Sequence, residues 1–214
     1  KQEDQMVHWY PVVEDFTFET VFVPLQPTEK CAILHEFFYG SNRYWEWHAF
    51  PPSNSKIQNL FRAFWSELEG ESQADSSSRI LEQLEGHINE IICNRFKDSG
   101  AFIKLYTSSP KDAPSNFSKA KAAYEEKIVT ESLSDDQRWV LFYTESIRAN
   151  HVKTGMEIVN LLVSSKKVAI DLMADLQDLQ GRHESGRTGV GLAIRAYDPA
   201  VTPAHEFRGF VWDG

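Results

Sequence analysis

Lys104 lies in the middle of an apolar hexapeptide, AFIKLY at 101–106, whose strand-forming residues predict a short buried strand. An ammonium set among buried neighbours costs free energy unless an anion meets it. The strand runs into Thr107-Ser108-Ser109-Pro110, a turn rich in hydroxyls and backbone donors, whose proline lacks an N–H and helps fix the turn. Lys111 and Asp112 follow directly. A cation on a strand, beside a polar turn that carries a second cation, suits a polyphosphate. The plainer reading of Lys104 is a side chain that snorkels from a half-buried edge strand into water.

Two more cations fall in predicted strands. Arg195 belongs to LAIRAY at 192–197 and Arg208 to EFRGFV at 206–211. In the second segment Glu206, Arg208 and Phe210 share one face, and Phe207, Gly209 and Val211 share the other. Apolar residues on both faces imply a strand buried on both sides, where a glutamate and an arginine need partners. They form a structural ion pair, or the planar guanidinium takes phosphate oxygens. Lys104, Arg195 and Arg208 together put three cations on three strands, a pattern that favours an anion pocket over three separate accidents.

Other chemistries find less support. Neither G-x-S-x-G nor H-E-x-x-H occurs, and the serines around Ser108 have no histidine at a diagnostic spacing. His35 and His48 lack a third ligand at metal spacing. Asp171 and Asp175, one helical turn apart, read as a solvated face. The glycine-rich stretch 181–191 matches neither the dinucleotide fingerprint nor the P-loop.

Several elements must position these residues. Helical spacing of apolar residues predicts helices over 56–69, 79–97, 154–164 and 165–179. Ser134 and Gln137 have the spacing of a capping box, opening a helix that includes Trp139, Val140, Phe142 and Tyr143. Residues 8–25 hold a Trp-Tyr-Pro entry and two strand-like runs, and the aromatic density of 31–50 reads as core. Polar composition predicts a mobile loop over 70–78, and the chain after Ala113 is polar up to about Ala123 and is given no element.

Composition sets the bounds. The 214 residues carry a net charge of −9 with no long basic block, which argues against a general nucleic-acid surface. With 42% hydrophobic and 13% aromatic residues, the chain can bury a substantial core. Cys31 and Cys93 form no metal or disulfide pattern, so a reducing compartment is the default. No apolar run approaches the ~18 residues of a membrane span, and the first residues lack the apolar core of a signal peptide. The start at Lys1 and the stop at Asp213-Gly214, a hairpin dipeptide without its return strand, predict a piece of a longer protein.

Read in order, these segments resemble the cell division cycle protein 123 family of ATP-grasp-like proteins. The matching segments are Trp9-Tyr10-Pro11 with TFETVFVPL, AFIKLYTSSPKDA, LLVSSKKVAIDL, and the pair LAIRAY and EFRGFV. The resemblance implies an α/β (α+β), two-lobed ATP-grasp fold with nucleotide between the lobes. An N-terminal region would span 1–88, the first lobe 89–197, and a truncated second lobe 198–214. Lys104 would contact the phosphates, with Lys111 and Asp112 at the turn beside them. Ile194, Arg195, Ala196 and Tyr197 would form the hinge whose backbone meets adenine, and Arg208 would face the phosphates from the second lobe. ATP and Mg2+ are the implied cofactors, with the metal ligands in an Asp-x-Asn segment after residue 214. The implied role is that of a cytoplasmic assembly chaperone gripping the gamma subunit of eukaryotic translation initiation factor 2. An ATP-grasp ligase such as an RNA ligase, or a scaffold without nucleotide, are the alternatives.

Overall fold

The computed structural model describes residues 18–40, 59, 61–62, 73–130, 132–180 and 189–200. Their order is β1 (Thr20–Pro24), α1 (Pro27–Tyr39), α2 (Gln73–Ile91), β2 (Ala101–Leu105), α3 (Pro114–Thr130), α4 (Asp135–Arg148), β3 (His151–Val152), α5 (Gly155–Ser164), α6 (Lys166–Gln180) and β4 (Gly191–Ala196). The mixed α/β class follows the predicted alternation of strands and helices. The sheet order is β1-β4-β2-β3 and every pairing is antiparallel.

Alternation along the strands divides the sheet into two faces. Val21, Val23, Ala101, Ile103, Leu105, Val152, Leu192 and Ile194 point to one of them, where they join a single apolar core with residues of α1, α2, α5 and α6. Ile103, Leu192 and Ile194 are fully buried there. The opposite, far face carries the candidate site.

Local chemistry starts the helices. Pro27 supplies a fixed φ at the head of α1, and the Gln26 N–H donates to the Glu29 carboxylate at 2.6 Å. Ser134 and Gln137 close the expected capping box on α4, with Ser134 N–H donating to Gln137 Oε1 at 2.9 Å. Thr154 and Glu157 build a second box on α5, where the Glu157 N–H donates to Thr154 Oγ1 at 3.2 Å. Burial raises the Glu157 pKa, but donors from the Lys153 backbone, the Lys119 ammonium and the Thr154 backbone outweigh it and hold the carboxyl below its ordinary value.

Three expectations need correction. The polar stretch expected as a loop over 70–78 is helical from Gln73, because Ser76 and Ser77 are buried and the Ser77 hydroxyl donates to the Ala32 carbonyl of α1 at 3.1 Å. The helix expected to reach residue 97 changes at Ile92 into one π turn and then a short 3-10 turn, which ends at Gly100. Gly100 has φ +68°, and a Cβ there would stand 2.3 Å from His151 Nε2. The stretch read as lacking an element after Ala113 is the 17-residue helix α3. Alanine, lysine and glutamate give α3 its helix propensity without an apolar stripe. The helix expected over 56–69 lies outside the described residues except at 59 and 61–62, which are helical. The Trp-Tyr-Pro entry, segment 41–50 and the strand expected over 206–212 lie wholly outside them.

α3 and α4 pack on each other as a helical hairpin between β2 and β3. The buried Glu145 carboxylate accepts from Lys127 of α3 at 2.6 Å and from Arg148 at 2.8 Å. No described helix is long and apolar enough to cross a membrane.

Candidate anion site on the far face

The strand register turns the far face into a grid. Pro24, Gly191 and Tyr106 make its first row. Phe22, Ala193 and Lys104 make the second. Thr20, Arg195, Phe102 and His151 make the third. Lys104 therefore faces only the Ala193 methyl across the ladder, with Arg195 on the diagonal. The predicted strand positions of both cations hold, and the fold brings them together.

Lys104 is half-buried, and no hydrogen bond or salt bridge engages its ammonium among the described residues. Its pKa lies below the ordinary lysine value. Desolvation is the largest cause, and the positive charges of Arg195 and then Lys111 add to it. Arg195 is half-buried and lies over the Phe18 ring at 5.4 Å.

The turn after β2 is held from α6. Asp171 Oδ2 accepts from Thr107 Oγ1 at 2.7 Å and from Ser108 Oγ at 2.5 Å. The Leu105 N–H donates to the Ser108 carbonyl, closing the turn at 2.6 Å. Ser109 Oγ is buried there with no hydrogen-bond partner among the described residues. Lys111 is exposed, and the turn carries it back to within electrostatic reach of Lys104. Asp112 accepts from Ser165 Oγ at 2.6 Å and from the Lys167 N–H at 3.1 Å, so its carboxylate is engaged at the start of α6.

One end of the grid is closed by aromatic packing. Tyr106 and Phe22 meet edge to face at 5.7 Å over Ala193. Gly191 makes room for this, since a Cβ on it would lie 2.6 Å from Tyr106 Cζ and 2.6 Å from the Val23 carbonyl oxygen. Burial pushes the Tyr106 phenol up to about 12. At the other end the Tyr197 and His151 rings stack at 3.9 Å.

The hinge expected over 194–197 divides between the two faces. Ile194 points into the core, while Arg195 stands on the far face. The Ala196 N–H donates to the Glu19 carbonyl at 2.8 Å and the Tyr197 N–H to the Gly100 carbonyl at 3.3 Å. An adenine at this stretch would find no donor in either N–H. Arg208 lies outside the described residues.

Sequence reasoning missed the anchoring acids. Asp171 and Asp175 are not a solvated face: Asp171 holds the turn, and Asp175 meets the buried Lys30 at 2.5 Å and the Val190 N–H at 3.1 Å. Their spacing was visible, but their partners are remote in sequence. Among the described residues no three acids, histidines or cysteines converge as metal ligands. Compared with known protein families, curated proteins and solved structures, the chain matches none.

Proposed function

We propose that the far face around Lys104 and Arg195 is the phosphate-binding part of an ATP site. The observation that carries this reading is Lys104 itself: a half-buried ammonium crowded by two other cations and met by no acid among the described residues. Such a cluster costs free energy when empty, and an anion with several oxygens offsets that cost. The three cations enter from different segments, Lys104 from β2, Arg195 from β4 and Lys111 from the turn, as a polyphosphate requires. The Tyr106–Phe22 pair walls one end. In this reading Asp112 and Asp171 shape the turn and do not touch phosphate.

The finer reading follows the resemblance. The chain belongs to a two-lobed ATP-grasp protein in which Arg208 closes the site from the second lobe and Mg2+ is held beyond residue 214. It uses ATP to help assemble translation initiation factor 2 through its gamma subunit. The aromatic side chains exposed on the α3–α4 hairpin, Trp139 at 73% and Phe117 at 59%, support a protein-binding role over an RNA ligase.

Calorimetry of the full-length protein with ATP and magnesium tests the nucleotide reading. Binding heat is expected, and Lys104→Ala should weaken affinity by about 1–3 kcal/mol, the usual loss for a charge-assisted hydrogen bond. Neither heat nor a thermal shift at millimolar ATP would overturn it. Capture of the gamma subunit without a nucleotidylated intermediate supports the chaperone, whereas joined RNA ends would replace it with the ligase.

A further inference from the structure

We infer that Lys104 is an acylation site, its amine taking an acyl group from an acyl phosphate that Arg195 and Lys111 orient. The inference rests on the anion-site reading of this face and adds a covalent reaction to it.

The lysines differ in what surrounds them. Lys30 is buried against Asp175 at 2.5 Å. Lys119 is paired with Glu157 at 2.9 Å and Lys127 with Glu145 at 2.6 Å. At such distances the carboxylate engages the side-chain nitrogen and holds it away from an incoming acyl group. Lys153 is exposed to water. Lys104 has neither form of support among the described residues: it is half-buried, faces a methyl group and has two cations nearby. Desolvation and adjacent positive charge are the means by which lysines become nucleophiles near neutral pH.

The same cations select the donor. The phosphoryl end of an acyl phosphate is anionic and suits Arg195 and Lys111, which leaves its carbonyl beside the Lys104 amine. The nitrogen lone pair attacks the carbonyl carbon and forms the C–N bond. The C–O bond to phosphate breaks, and phosphate leaves with the electron pair. The proton lost from nitrogen passes to the departing phosphate or to water. The product is a neutral amide, so the face loses one of its cations and its hold on nucleotide falls.

The test uses the full chain, acetyl phosphate as the donor, and peptide mass spectrometry to follow each lysine. Acetylation at Lys104 is expected to run at least about tenfold faster than at Lys153, given the activation available to a desolvated amine. Inorganic phosphate should slow it by competition, and Arg195→Gln should slow it too. A neutral N-hydroxysuccinimide ester of acetic acid should label Lys104 readily and ignore both changes. Equal rates at Lys104 and Lys153 with acetyl phosphate would overturn the proposal. So would labelling by acetyl phosphate that phosphate does not slow, a readout that does not need the Arg195 variant to fold. ATP gives a separate arm: phosphate-sensitive labelling that ATP leaves untouched supports the acylation site and removes the nucleotide reading.

Discussion

Lys104 and Arg195 occupy opposite corners of a square on the far face, with Ala193 and Phe102 at the other two corners. Two cations thus share a face across adjacent strands with a methyl and an aromatic ring between them. The positive charge of Arg195 is one of the causes that hold the Lys104 pKa below its ordinary value, after desolvation.

Replacing Lys104 by Met should therefore stabilise the ligand-free protein at neutral pH. The folded-state pKa lies below the ordinary value of 10.5, so the unfolded chain binds more protons between the two values. Stability should rise with pH across that window as the folded protein sheds the charge. Lys104→Met should flatten the rise. Denaturant unfolding along an alkaline pH series checks both, and a large loss of stability at neutral pH would mean that the ammonium has an anionic partner.

Asp171 ties the turn to α6, and cutting that tie should loosen Lys111. Asp171→Ala should cost about 1–2 kcal/mol, less than two fully buried bonds to a charged group, because Thr107 is exposed and recovers water. ATP affinity should fall as well, although Asp171 makes no phosphate contact in this arrangement. Asp171→Asn retains an acceptor and should recover part of both losses. Calorimetry and unfolding of the pair of variants give the comparison.

The Lys30–Asp175 pair should respond unequally to its two deletions. The Lys30 side chain is 2% exposed and that of Asp175 is 13% exposed. Asp175→Ala leaves a buried ammonium without its acid and should cost about 3–5 kcal/mol. Lys30→Met should cost less, because Asp175 keeps the Val190 N–H and some water. Chemical denaturation that shows equal losses would contradict this asymmetry.

Gly191→Ala should destabilise by about 1–3 kcal/mol through overpacking, since the new methyl meets the Tyr106 ring and the Val23 carbonyl oxygen. The Tyr106 ring is the part able to move. Its phenol, held at about 12, should then titrate closer to an ordinary tyrosine, which the difference in phenolate absorbance from Tyr106→Phe would reveal.

Much of the site was legible in the sequence because strands announce themselves locally. Ile103 and Leu105 alternate with Phe102 and Lys104, so β2 and its lysine were readable, and LAIRAY marked β4. The diagonal between Lys104 and Arg195 depends on register across 91 residues, which no local pattern encodes. α5 and α6 were found to within one residue by their apolar stripes. α3 was missed because its helix propensity comes from alanines and charged residues, and the first turns of α2 because buried serines look like a linker. Asp171 and Asp175 show the same limit: their spacing is local, and their partners are not.

The position of β4 has a consequence for synthesis. This strand is the last described element, yet it lies inside the sheet, between β1 and β2. On the ribosome β1 emerges before the other described strands, and its sheet neighbour among the described residues arrives only when residues 191–196 clear the exit tunnel. Until then the edge of β2 that takes β4 lacks that partner too, and unpaired strand edges are of the kind that recruit chaperones or other chains. Arg195 reaches Lys104 only with that final insertion. A chain stalled before β4 holds Lys104 without Arg195, so the meeting of these two cations marks the insertion of that strand.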